Sequence, residues 1–367
     1  TNDGVTVLEA AKVEHPTARM LIDTSTTQDT EAHDGTTSAI VLTAELLLNA
    51  LDWIDRGIHP SVLTKGYRMS LDYALSEIES ISRTSDDDDL IRVVETSLSG
   101  KISEDTRTSL SELAVDAAKI AFKRSNRESI DPNDIKRITI RGGRVSDSER
   151  IDGIIMRKTR LDPQTPNKLS AGKVLILDGG LDPKELSLDA SIRITEPGML
   201  ARFIERQKKE LQDRVQAIAD AGTNLLIVRD GVNDDAIPML RKAGIVTYRR
   251  VERDDLELIA RACGASIIRD TRGIDSDSLG DFESVKEESW ESVDHVRIHG
   301  SVGSGQTVII RGSTQSILEE TMRAFDDAIG VAYITAKEPL TVPGAGSIQA
   351  RMATAIRNSD PMPSSRA

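Results

Sequence analysis

The spacing of apolar residues changes character twice along this chain, and that double change restricts its fold more than any other feature. From about residue 145 to about 315, short apolar runs alternate with helical spacing. The runs are Lys173-Val174-Leu175-Ile176-Leu177, Leu225-Leu226-Ile227-Val228, Ile245-Val246-Thr247-Tyr248 and Ala265-Ser266-Ile267-Ile268. Runs of strand length between helical stretches predict an α/β domain. Between the first two runs, Leu200, Phe203, Ile204, Leu211, Val215 and Ile218 form one stripe of a long amphipathic helix near 196–220, and Gly222 stands where it should stop.

On both sides of this region the spacing is helical. Pro16 and Pro60 suit the first turn of a helix, where a missing N–H costs nothing. A helix over about 36–56 carries Ile40, Val41, Leu42, Leu46, Leu47, Leu48 and Leu51 on too many sides for a surface helix, which predicts burial. Further helices are expected from Pro60 to about Ile78, around Leu110–Ile120, and around Leu318–Ile329. Gly4-Val5-Thr6-Val7-Leu8 reads as a strand. Asp86–Asp89 interrupts the helical pattern as a solvated loop, with a boundary near 85, and residues 359–365 read as a disordered tail.

A length of 367 residues exceeds one ordinary core, so two or three domains are expected. No uninterrupted apolar run approaches the roughly 18 residues that a bilayer span needs, and no secretory leader is visible, so the expected location is cytoplasmic, without a membrane partner. A net charge of −13 with 3% aromatic residues opposes nucleic-acid binding. The acidic balance fits either a salt-loving source or a single solvated loop. The one cysteine, Cys263, has no disulfide partner and fits a small core residue.

Asp34-Gly35-Thr36-Thr37-Ser38 lies between two helical patterns and opens the second. Glycine lets a backbone come close to a phosphate, first-turn N–H groups point at the anion, and a neighbouring aspartate calls for a divalent cation. Taken alone, these residues read more simply as an Asx-turn and N-cap that starts a helix. His295 and His299 alternate with Val296 and Ile298 as in a strand, which argues against a helical metal pair. Gly300–Gly305 is followed by strand-like Val308-Ile309-Ile310 and reads as a flexible hairpin rather than a dinucleotide loop.

Separated blocks then point one way: Thr1-Asn2-Asp3-Gly4, Glu14-His15-Pro16, Gln28-Asp29-Thr30-Glu31, Asp34-Gly35-Thr36-Thr37, Gly222-Thr223-Asn224, Ala243-Gly244-Ile245, Arg249-Arg250-Val251, Arg311-Gly312, Asp326-Asp327-Ala328 and Val342-Pro343-Gly344-Ala345-Gly346. In order and spacing they resemble the group II chaperonins, the family of archaeal thermosomes and the eukaryotic cytosolic chaperonin, with the thermosome subunit as the nearer branch. The resemblance implies a multidomain α and α/β chaperonin fold. Its parts would be a mostly helical equatorial ATPase domain at 1–85 and from 341, a split α+β intermediate domain at 86–145 and 316–340, and an α/β apical domain with a helical protrusion at 146–315.

The same resemblance implies ATP and Mg²⁺ as ligands, with Asp34 on the metal and Gly4, Gly35, Thr36, Thr37, Ser38, Gly344 and Gly346 around the nucleotide. Asp327 would orient and deprotonate the attacking water, with Asp3 a second carboxylate near it, while Asp326 would stay on a solvated face. Partners would be unfolded polypeptides and like or related subunits in a double ring. Two positions depart from the family: His33 stands where glycine is usual, and Ala345 interrupts a run of glycines. These departures motivate a second reading, a paralogue that binds clients or joins rings without hydrolysis. The family's upstream phosphate loop and downstream half-domain lie outside this sequence, so it reads as a fragment.

Overall fold

The computed structural model describes residues 4–124, 134–182, 199–290, 292–302 and 305–358, and the chain divides into two compact units, 1–119 with 319–367 and 120–318. Asp3 and the tail from residue 359 fall outside the described residues, as does the expected start of the helix at 196.

The first unit opens with helices α1 (Gly4–Ala10), α2 (Pro16–Ala32), α3 (Thr36–Asp55) and α4 (Pro60–Ile81), then strand β1 (Arg83–Thr84), α5 (Asp87–Leu98) and α6 (Glu104–Arg124). Pro16 and Pro60 occupy first-turn positions as expected. The strand expected at Gly4–Leu8 is helical instead. The segment lies against α2 and α3, and that tertiary contact overrides the weak β preference of Val5, Thr6 and Val7.

The acidic run is not a solvated loop. Asp86 caps α5 by accepting the Asp89 N–H at 2.8 Å, and Asp89 returns a bond to the Asp86 N–H. Asp89 is buried, and Arg83 grips its carboxylate with two bonds of 2.7 and 2.8 Å. The Arg83 guanidinium holds the Asp89 carboxyl below its ordinary range. Four consecutive aspartates therefore include a cap and a buried ion-pair partner, roles that a charge count hides.

A second expectation fails at α3, which has no buried residue. Val41, Leu42, Leu48 and Leu51 are each more than half exposed. The helix makes its main contacts with α1, α2 and α4, where the Tyr67 hydroxyl donates to the Leu46 carbonyl at 2.7 Å. By length and composition α3 also meets the requirement for a membrane span, with a mean hydropathy of 1.3, although Glu45 and Asp52 interrupt its apolar run as expected.

The second unit is built on a seven-stranded sheet. Its elements are β2 (Lys136–Arg141), β3 (Glu149–Asp152), β4 (Ile154–Met156), β5 (Lys168–Leu177), α7 (Met199–Asp220), β6 (Leu225–Val228), α8 (Ala236–Lys242), β7 (Val246–Tyr248), α9 (Arg253–Cys263), β8 (Ile267–Ile268), β9 (Leu279–Trp290), β10 (Val293–Gly300) and β11 (Gln306–Gly312). The order is β4-β10-β9-β5-β6-β7, with β8 also on β5. Strands β6 and β8 run parallel to β5, and β7 parallel to β6.

Continuous apolar runs are what a sheet covered on both faces needs. Val174 and Ile176 point into one core with Leu256 and Ile259 of α9. Leu175 and Leu177 point into another with Leu211, Val215 and Ile218 of α7. The expected stripe of α7 is thus buried in its C-terminal half, while Ile204 is exposed. A smaller sheet, β2-β11-β3, has β11 at its centre. Strands β10 and β11, on either side of the glycine segment, belong to different sheets, so they do not form the expected hairpin. His295 and His299 do lie on a strand, where His295 stacks at 4.7 Å on Trp290.

The first unit resumes with α10 (Gln315–Lys337), which crosses the unit boundary, then β12 (Leu340–Thr341) and α11 (Ser347–Asn358). Strand β12 pairs antiparallel with β1, Arg83 opposite Thr341 and Thr84 opposite Leu340. Asp326 on α10 is half-buried rather than on a solvated face.

Cys263 is buried in the α9 core, and desolvation, reinforced by Asp281, pushes its thiol up to about 12. At pH 8 a thiol reagent should leave the folded protein unmodified and label it only after denaturant is added, with mass spectrometry as the readout. Rapid labelling of the native protein would contradict this burial.

Candidate functional site

Helix α2 ends at His33, whose φ of 54° is left-handed, and its N–H closes the last turn on the Asp29 carbonyl at 3.0 Å. Asp34 follows, then Gly35, also left-handed at φ 76°, and α3 starts at Thr36. Left-handed residues on either side of Asp34 turn the chain from α2 into α3. The Gln28 side chain steadies the turn by donating to the Asp34 carbonyl at 2.9 Å.

Gly35 at the N-cap brings no side chain, and among the described residues none caps α3. Its first-turn N–H groups at Thr36, Thr37 and Ser38 therefore remain directed at whatever lies beyond the helix end, and their dipoles favour an anion. Gly4 sits directly against this end. A Cβ there would lie 2.7 Å from Thr37 Oγ1 and 3.1 Å from Thr36 Oγ1, so the approach requires glycine.

The fourth element is α10. Asp327 accepts a 2.7 Å bond from Lys101 Nζ, which also lies 3.6 Å from Asp34 Oδ1. One ammonium thus stands between two carboxylates from distant parts of the sequence. The Asp34 carboxylate is about half exposed, 47%, whereas Lys101 and Asp327 are near one-fifth. Asp34 is open to a ligand from solvent, and Asp327 is sheltered.

The donor set suits Mg²⁺ held mainly through phosphate. That ion takes one or two carboxylates and completes its octahedron with substrate oxygens and water. Among the described residues there is no cluster of three or more His, Cys, Asp or Glu that would form a closed metal cage. A single accessible aspartate beside an uncapped helix N-terminus fits the open arrangement.

Compared with known proteins, the sequence matches the TCP-1/cpn60 chaperonin family over residues 1–365. The chain belongs to that family. It is 39% identical over 363 residues to thermosome subunit alpha of Archaeoglobus fulgidus, covering 98% of this chain and 67% of that one. It is 36% identical over 363 residues to a thermosome subunit of Methanopyrus kandleri, with the same coverage. Among solved structures it is similar to an open-state monomer of a group II chaperonin from Methanococcoides burtonii, at 27% identity and a TM-score of 0.65, over 88% of this chain and 75% of that one. The chain spans about two thirds of the length of its curated relatives.

Of the residues singled out in this chaperonin chain, the structure gathers Gly4, Asp34–Ser38 and Asp327. Gly344 and Gly346 lie in the turn between β12 and α11. Apart from chain neighbours, nothing stands within 4 Å of a Cβ built on either, so this turn faces open space. Helix α11 lies on α4, with Arg351 Nε 3.0 Å from Glu77.

Sequence reasoning missed Lys101. Its one local signal was Ser99-Gly100-Lys101, a glycine turn ending α5 with a cation beyond it. What makes it part of the site is its position between Asp34 and Asp327, which only the fold creates.

Both departures from the family occupy left-handed backbone, His33 at φ 54° and Ala345 at φ 55°. A Cβ in that region is strained by about 1–2 kcal/mol, part of which glycine would return as lost chain entropy. Ala345→Gly should therefore stabilise the protein by about 0.5–1 kcal/mol. A rise in Tm checks this, and an unchanged or lower Tm would refute it.

Proposed function

We propose that this chain is the nucleotide-responsive and client-binding part of an ATP-hydrolysing chaperonin subunit. The observation that carries the reading is the meeting of Asp34, the open N-terminus of α3 and Asp327 around Lys101. Thr36, Thr37 and Ser38 would hold the terminal phosphates through N–H groups and hydroxyls, while Gly4 leaves room for them. Asp34 would hold Mg²⁺, which when bound neutralises phosphate charge. Gly344 and Gly346 would approach the nucleotide from the β12–α11 turn, and Asp3 would add a second carboxylate near the water.

Asp327 would orient a water in line with the γ-phosphorus and take its proton as the new P–O bond forms and the bond to the β–γ bridging oxygen breaks. Here the Asp327 carboxylate is engaged by the Lys101 ammonium. Release from that pair would accompany catalysis.

We assign the equatorial domain to residues 1–85 and 341 onward, the intermediate domain to 86–145 and 316–340, and the apical, client-binding domain to 146–315. The exposed apolar faces of α3 fit an equatorial core completed by further elements of a longer protein, and we read α3 as a core helix rather than a membrane span. Partners would be unfolded polypeptides and like or related subunits in a cytoplasmic double ring, whose cyclic symmetry needs head-to-tail contacts. The non-hydrolysing paralogue is the weaker reading. His33 and Ala345 change side chains, yet both keep a backbone conformation that glycine adopts freely, so the turns persist.

Mg²⁺-dependent ATP turnover by the full-length protein, with and without Asp327→Ala, tests the proposal. The substitution should slow turnover by roughly 10²–10⁴ while ATP still binds. Equal turnover by both proteins would remove Asp327 from the mechanism. Assembled rings that bind ATP but never hydrolyse it, in low or multimolar salt, would favour the paralogue.

A further inference from the structure

His33 and Gly330 meet in a way that neither the phosphate loop nor the catalytic carboxylate requires. Gly330 is a buried residue in the middle of α10. A Cβ built on it would fall less than 3.0 Å from Cβ, Cγ and Cδ2 of His33, so the imidazole occupies the space that any other residue would fill with its side chain. Each partner is locally unfavourable. Glycine is a poor helix former, and histidine is strained in left-handed backbone. A strained histidine and a helical glycine of low propensity, kept where they touch, invite a functional reading of the contact.

The positions of the two residues say what the contact controls. His33 immediately precedes Asp34. Gly330 lies three residues after Asp327, on the same face of α10. The depth at which α10 seats on the His33 ring therefore fixes how closely Asp327 comes to the loop bearing Asp34. Lys101 joins the same two carboxylates by charge, through a flexible side chain. The ring on bare backbone is a rigid stop beside that adjustable link.

We propose that His33 is a positioning residue, whose imidazole, seated on Gly330, sets the approach of the helix carrying Asp327 to the loop carrying Asp34. The consequence for turnover rests on the ATPase reading above, whereas the contact itself does not. A shift of about 1 Å in a reacting group can change a rate by roughly a hundredfold, so the spacing matters to the chemical step more than to nucleotide binding.

The test compares Gly330→Ala, His33→Gly and the double variant in the full-length protein, by hydrogen exchange and by steady-state kinetics. Helix propensity alone would make alanine the better residue at Gly330. A steric stop predicts the reverse: Gly330→Ala speeds amide exchange at 34–38 and 326–330, and lowers kcat by about tenfold or more with the KM for ATP within about twofold. Adding His33→Gly to Gly330→Ala vacates the space for the new methyl group and restores both exchange protection and most of kcat. Unchanged exchange in Gly330→Ala, or a double variant no better than Gly330→Ala, would overturn the inference. If the exchange pattern appears but the unsubstituted protein turns over no ATP, the positioning of hydrolysis fails together with the ATPase reading, and the contact alone survives.

Discussion

The arrangement around Asp34 rests on one electrostatic contact: the Lys101 ammonium lies between two carboxylates, Asp34 and Asp327, from distant parts of the sequence. Lys101 stands 226 positions before Asp327 and reaches it at 2.7 Å. Both partners are only about one-fifth exposed, so the attraction is screened less than at the surface, and stranding either charge there would be unfavourable. The helix bearing Asp327 and the turn bearing Asp34 are thus linked through the protein's own charges.

Much of the fold was legible because its elements follow simple spacing. Helices α2, α3 and α4 begin at Pro16, Thr36 and Pro60 as the capping and proline signals indicate, and all four apolar runs of the second unit are strands. The failures share a cause. Whether Val5-Thr6-Val7 forms a strand or a helix, whether Asp89 is solvated or gripped by Arg83, and whether α3 is covered are all decided by residues far away in sequence. Spacing reports an element's period, while burial reports its neighbours.

The candidate site divides along the same line. Asp34-Gly35-Thr36-Thr37-Ser38 could be read because a turn with its glycine, hydroxyls and helix start inside five residues is a local object. Asp327 was legible only through family resemblance, since an aspartate pair on a helix is otherwise an ordinary surface feature. Lys101 and the seating of His33 on Gly330 were not legible at all. A lysine after a glycine turn and a glycine within a helix have no chemistry until the chain brings their partners to them.

The two-residue strands β1 and β12 are slight as secondary structure, yet their pairing places Arg83 and Thr341 side by side. The chain thus departs and returns at a single point, so the closure entropy of everything between has been met by one short ribbon. That ribbon also closes the stretch that carries Lys101 and Asp327, so one short pairing anchors the return of both residues to the helices that precede it.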